Sequence, residues 1–340
     1  MPIYPLICRA GRPHSAAPSH SRPLENRKEN SAHENPPSYP CCSCASAPAS
    51  TATPAPTETP ASTAATLTLE QKVGQLFIVR PDALDLTLSQ ETIDDLRADG
   101  VTQVTDAMRE TLQQYPVGGI CQFGKNIESP SQLARFNKDL QAASATPLFI
   151  TVDEEGGMVA RLANNDAFDL PRYASAAAVG ASGDPENARA MGQTIGGYLK
   201  TYGFNMDFAP DADVNTNPDN PIIGERAFSS DAATAAQMAA AAAEGLRQNG
   251  ILPTLKHFPG HGDTAEDSHT DLAVTYKTRE ELENCELLPF AADTGLHAVM
   301  VGHIAAPNEH ADRHRLTFDG RHHKSLHSRR GCHSGHPGGV

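Results

Sequence analysis

Short apolar runs alternating with helix-type stretches constrain this chain more than any other feature. Residues 73–79, 117–123, 147–152, 206–209, 251–255 and 298–301 read as strands, and residues 89–99, 132–143, 185–202, 232–248 and 279–290 as helices between them. Thr68 is placed to cap a helix with Glu70 and Gln71 in its first turn, and Asp184 to cap one that begins at Pro185. Alternation of this kind implies a parallel sheet, because a strand can meet a parallel neighbour only after a crossover. Six units in series favour a (β/α)8 TIM-type barrel over an open doubly wound sheet. No Gly-x-Gly-x-x-Gly follows the first strand, which counts against a dinucleotide fold.

The predicted strand ends share a chemistry. Asp153 follows the third, Asp211, Asp213 and Asn215 the fourth, Lys256 and His257 the fifth, and His303 the sixth. Any one of these could be a turn or cap residue. Together they form a polar ring at the carboxyl ends of barrel strands, suited to a hydroxyl-rich ligand whose groups both donate and accept.

The loop after the fifth strand is the most specific stretch: Lys256-His257-Phe258-Pro259-Gly260-His261-Gly262, then Asp267-Ser268-His269. Gly260 and Gly262 supply backbone freedom. In an extended segment residues two apart point the same way, so Asp267 can hydrogen-bond His269 and set its tautomer, making a proton-transfer dyad. Zinc ligation by His257, His261 and His269 is the competing reading. An H-x3-H-x7-H spacing in a loop with no cysteine nearby is a poor match to it.

These strings resemble the β-N-acetylglucosaminidase branch of the family 3 glycoside hydrolases, over residues 67–307. Val152-Asp153-Glu154-Glu155-Gly156-Gly157 matches the family's Val-Asp-x-Glu-Gly-Gly, and residues 205–218 with 223–228 match the segment after strand four. The resemblance implies that Asp153, Arg226, Lys256 and His257 bind the sugar, that His269 and Asp267 are the acid/base dyad, and that no cofactor or metal takes part. Two residues depart from the pattern: Met158 stands where the family usually has Arg, and Asp211 where it usually has Val. Family members place a nucleophilic Asp after a seventh strand. Here neither Asp312 nor Asp319 follows an apolar run, strands seven and eight are not recognisable, and the barrel is expected to be incomplete at its C-terminus.

Composition sets the remaining bounds. Residues 1–65, rich in Pro, Ser, Ala and Thr, have no apolar periodicity and read as a disordered leader and linker, with residues 66–307 as the partial barrel. Such a linker fits an extracellular or envelope-associated enzyme. No export signal precedes it, so a cytoplasmic placement is the alternative. Residues 308–340, rich in His and Arg, read as a truncated or out-of-frame tail rather than a metal-binding tract. A net charge of −14 argues against nucleic acid and anionic membranes as partners. No run is apolar enough to span a bilayer. Cys121 and Cys285 are the only cysteines of the body, so disulfides do not define the fold.

The expected activity is retaining hydrolysis of terminal β-linked N-acetylglucosamine from cell-wall or chitin-like saccharides, by a monomer, impaired by loss of the nucleophile. A non-catalytic sugar-binding barrel is the alternative.

Overall fold

The computed structural model describes residues 7–9, 67–95, 97–266 and 272–308. In chain order the strands are β1 (Ile7–Arg9), β2 (Ile78–Val79), β3 (Gly119–Cys121), β4 (Phe149–Thr151), β5 (Glu154–Gly156), β6 (Val159–Ala160), β7 (Met206–Asp207), β8 (Leu252–Phe258), β9 (Ala273–Val274), β10 (His297–Val301) and β11 (Ile304–Ala305). The helices are α1 (Leu69–Gly74), α2 (Gln90–Asp94), α3 (Asp106–Gln114), α4 (Pro130–Ala143), α5 (Ala176–Gly180), α6 (Pro185–Thr201), α7 (Ala232–Gln248), α8 (Arg279–Asn284) and α9 (Leu288–Ala292).

The result is a mixed α/β fold with a parallel wall. β2, β3 and β4 pair in parallel, as do β7, β8 and β10. Hydrogen bonds from Asn205 N to Ile150 O (3.1 Å) and from Phe208 N to Val152 O (2.9 Å) join the two groups. The strand order β2-β3-β4-β7-β8-β10 therefore follows the chain without reversal, unlike a doubly wound sheet, whose order turns back at a switch point. Among the described residues the wall does not close into a ring.

Several expectations shift for local reasons. The strand expected over residues 73–79 survives only at its end, because the capping box of Thr68 and Gln71 starts a helix that runs to Gly74. β8 runs on to Phe258, so Lys256 and His257 lie in the strand rather than beyond it. The helix expected over residues 279–290 breaks into α8 and α9: Pro289 has no N–H to continue the ladder, and Cys285 leaves helical geometry at φ −138°. α3 was not expected, although Thr105 caps it and Met108, Thr111 and Leu112 bury one face at helical spacing. In the leader, β1 pairs antiparallel with β10 through Ile7↔Val299 and Cys8↔Ala298. That corrects the reading of residues 1–65 as wholly disordered: an edge strand presents unpaired backbone groups that any short extended segment can satisfy. The rest of the leader and the tail from residue 309 lie outside the described residues.

The core sits between wall and helices. α4 turns Leu133, Phe136 and Leu140 onto Ile120 and Ile150, at roughly 1.5–3 kcal/mol of burial each. α6 and α7 pack backbone to backbone: a Cβ on Gly192 would stand 2.1 Å from Ala242 O, and one on Gly245 2.2 Å from Arg189 O. The alanine-rich run of α7 is thus a packed helix face, with Ala235, Ala239, Ala242 and Ala243 buried.

Candidate active site

The carboxyl ends of β4, β7 and β8 bring the expected residues together. Lys256 is 2% exposed, and its Nζ lies 2.8 Å from Asp153 Oδ1 and 2.6 Å from Glu155 Oε1. Arg226, on the turn Gly224–Arg226, forks onto the same Glu155 with Nε at 2.9 Å from Oε2 and Nη2 at 2.7 Å from Oε1. Glu155 joins the lysine and the arginine. The sequence reading gave it no role, although it stands two residues from Asp153 in the matched string.

Electrostatics follow from this burial. Burial alone would raise the Glu155 pKa, but the charge of Lys256 and the hydrogen bonds and charge of Arg226 outweigh it and bring it to about 2. Burial would lower that of Lys256, and Asp153 and Glu155 reverse this and hold it charged, above its ordinary value. An ammonium has three hydrogens, so two carboxylate partners leave one for a further acceptor. Of the lysine's partners, Asp153 is the one with side-chain surface, at 21%.

His257 sits beside this cradle. Its Nδ1 is 2.7 Å from Asp213 Oδ2, its backbone N–H donates to Asp213 Oδ1 at 3.2 Å, and Arg226 Nη2 lies 3.4 Å from Nε2. With Nδ1–H aimed at the carboxylate, Nε2 is left as an acceptor toward the guanidinium. Burial pushes the imidazole pKa down to about 3, against the pull of Asp211 and with help from Arg226 and Lys256, so the ring is neutral. Burial, followed by repulsion from Asp213, pushes Asp211 up to about 7. Asp213 is also raised, first by burial.

Asp211 is a member of this cluster: its Oδ2 is 3.6 Å from Arg226 Nη2 and 3.9 Å from His257 Nδ1. The expected strand-end ring thus divides. Asp153, Asp211, Asp213, Lys256 and His257 converge, whereas Asn215 is tied by its N–H to Ser229 O and His303 is exposed beyond β10. Met158 stands on the β5–β6 turn, 74% exposed, so that departure leaves the packing of the hairpin intact. The neighbouring Glu154 is structural, accepting from Leu162 N, Ala163 N and Tyr198 Oη.

Asp267 and His269 lie outside the described residues, but both stems of their loop are described. Asn220 Nδ2 donates to His261 O (2.8 Å) and Thr264 O (3.0 Å), and Thr275 Oγ1 donates to Asp263 Oδ2 (2.6 Å). Gly260 takes φ +135° against Glu286, and a Cβ on Gly262 would stand 1.8 Å from Val214 O, so both glycines are needed for the loop's path. His261 is 1% exposed, with Nδ1 2.6 Å from Thr264 Oγ1. It holds the loop, and its ring lies edge-on to that of His257, with centroids 5.8 Å apart.

A buried ion network is weak ground for stability, since replacing a whole network by apolar groups is often neutral or stabilising by about 1–4 kcal/mol. The arrangement is better explained as a preorganised cradle for a polar ligand.

Comparison with known proteins places this geometry. Residues 68–319 match the family model "Glycosyl hydrolase family 3 N terminal domain". The chain is 34% identical over 229 residues to Beta-hexosaminidase A of Pseudoalteromonas piscicida, covering 64% of this chain and 38% of that one. It is 35% identical over 212 residues to Beta-hexosaminidase of Stenotrophomonas maltophilia, covering 61% and 62%. Among solved structures it is similar to a family 3 β-N-acetylglucosaminidase of Paenibacillus sp., with a TM-score of 0.63, 37% identity and coverage of 73% and 44%. It is also similar to native NagZ of Neisseria gonorrhoeae, with a TM-score of 0.57, 29% identity and coverage of 61% and 62%. The chain therefore spans less than two thirds of the length of each of these relatives. It belongs to the family of the glycosyl hydrolase family 3 N terminal domain.

Proposed function

We propose that this chain carries the sugar-gripping part of a β-N-acetylhexosaminidase with a (β/α)8-type barrel, acting on terminal β-linked N-acetylglucosamine. The observation that carries the reading is the ammonium of Lys256, held charged between Asp153 and Glu155 with Arg226 locked onto the same glutamate. In a retaining hydrolase a nucleophile attacks the anomeric carbon while an acid protonates the departing oxygen, and water then resolves the glycosyl-enzyme. Here Lys256, Asp153 and Arg226 would orient the sugar hydroxyls. His269, set by Asp267, would give its proton to the leaving oxygen and later take one from water. The relatives' names support the substrate class.

Within this reading the chain binds N-acetylglucosamine through the cradle of Asp153, Lys256 and Arg226. The test is chromophore release from aryl β-N-acetylglucosaminide and aryl β-glucoside, alongside calorimetric titration with N-acetylglucosamine. Sugar binding, with any turnover confined to the acetylglucosaminide, is expected. A preference for the glucoside, or no binding of either sugar, overturns the assignment.

A further inference from the structure

We infer that Asp211 is a positioning residue for sugar binding: its charge decides whether Arg226 donates to Asp211 or to His257, and so whether the His257 ring is free to take a sugar hydroxyl. The sugar step rests on the hydrolase reading, and the exchange of partners does not. Asp211 lies on the segment after β7, beside the end of β8, where it bridges to Lys256 in parallel and Ala212 N donates to Lys256 O at 2.7 Å. It is one of the two departures from the family's pattern, and where valine stands no carboxylate competes for the arginine.

The hydrogens of Arg226 can be counted. Nε–H and one Nη2–H go to Glu155, at 2.9 and 2.7 Å, and Nη1 donates to Ile222 O at 3.3 Å. The second Nη2–H has two acceptors beside it, His257 Nε2 at 3.4 Å and Asp211 Oδ2 at 3.6 Å. Both contacts are long, and a shift of roughly half an ångström toward either one makes a normal hydrogen bond. Nε2 is the ring's acceptor because Nδ1–H is taken by Asp213. Asp211 Oδ2 is buried and accepts no hydrogen bond, so its pairing with Nη2 is through charge alone. An ionised Asp211, the stronger acceptor, draws the Nη2–H to itself and frees Nε2. A protonated Asp211 leaves that hydrogen on Nε2, which then has no lone pair for a sugar.

The groups that face Asp211 are Asp213 on its own segment, Lys256 and His257 on β8, Arg226 on the turn Gly224–Arg226 and Glu155 on β5. Glu155, at about 2, stays ionised, Lys256 and Arg226 stay charged, and His257, at about 3, stays neutral. Asp213 is raised by burial, yet it accepts from His257 N, His257 Nδ1 and His261 N, at 3.2, 2.7 and 2.7 Å, and these donors favour its charged form. Asp211 accepts only from Asp213 N, at 2.9 Å. A proton entering the pair therefore goes to Asp211, which burial and then Asp213 push up to about 7. The ionised form, with Nε2 free, prevails above that value and is lost as the pH falls through it.

The experiment compares the full 340-residue chain as wild type, Asp211→Asn and Asp211→Val, with circular dichroism as a check on folding. Calorimetric titration with N-acetylglucosamine is expected to show wild-type affinity falling on the order of 30-fold from about pH 8 to about pH 5.5, the loss in ionised fraction of a group at about 7. Below about pH 7, wild-type binding should also release a proton to the buffer. Both variants are expected to bind weakly, at one affinity throughout and without proton release. In the sugar-free protein, the NMR signal of His257 Nε2, assigned by its loss in His257→Gln, should move with a midpoint near 7 in wild type and stay still in the variants. A signal that does not move in wild type overturns the proposal, as does a pH-dependent affinity that survives in either folded variant. A moving signal with no sugar bound at any pH upholds the exchange of partners and overturns the hydrolase reading instead.

Discussion

At the scale of single residues the site depends on one glutamate that holds two cations. Lys256→Met would leave Glu155 with Arg226 alone and Asp153 unpaired. Breaking a buried pair from one side costs on the order of 3–5 kcal/mol. Unfolding in urea is expected to show a loss in that range, and calorimetry an N-acetylglucosamine affinity at least about 100-fold weaker. A variant that binds the sugar like wild type removes Lys256 from the cradle. Gly262→Ala acts through shape alone, because its methyl would stand 1.8 Å from the carbonyl of Val214. Overpacking against backbone costs roughly 1–3 kcal/mol. Denaturant midpoints should fall accordingly, and a midpoint equal to wild type would mean that the loop takes another path.

At the scale of elements, α7 is tied to the approach to β10 by a polar clamp. Arg247 places Nη1 2.6 Å from Asp293 Oδ2 and Nη2 2.8 Å from Oδ1, and His297 Nδ1 adds a contact at 3.1 Å. Burial would raise the pKa of Asp293, but the hydrogen bonds from His297 and Arg247 and the arginine's charge bring it down to about 2. A depressed carboxylate stabilises the fold above its ordinary pKa near 3.8, and that contribution fades as the pH falls toward about 2. The difference in unfolding free energy between wild type and Asp293→Asn should be ~1–2 kcal/mol at pH 6 and shrink steadily between pH 4 and 2. A difference independent of pH would show that the clamp is not ionic. The contact of α6 with α7 rests on backbone approach, so Gly192→Ala, whose methyl would stand 2.1 Å from Ala242 O, should lower the melting temperature by several degrees. An unchanged melting temperature would show that the helices can separate without cost.

At the scale of the whole molecule, the parallel wall runs in chain order from β2 to β10, with β1 on its far edge. Uncovered edges invite pairing between molecules. Removing residues 1–11 should therefore promote self-association in sedimentation, whereas a leader that is only a spacer predicts no change. The candidate site spans this wall: Asp153 and Lys256 are 103 residues apart in sequence and in direct contact in space.

The sequence by itself determined the alternation of strands and helices and the span of α7, and it singled out Asp153, Arg226, Lys256 and His257, which the fold brings together. Capping, periodicity and local motif chemistry are written within a few neighbouring residues. Only the tertiary structure decided that Lys256 is buried within β8, that Glu155 joins it to Arg226, that His257 is neutral against Asp213, and that Asp211 is drawn into the same cluster. Each of these depends on which distant strand end lies alongside, and charge, tautomer and burial are set by neighbours that the linear order does not name.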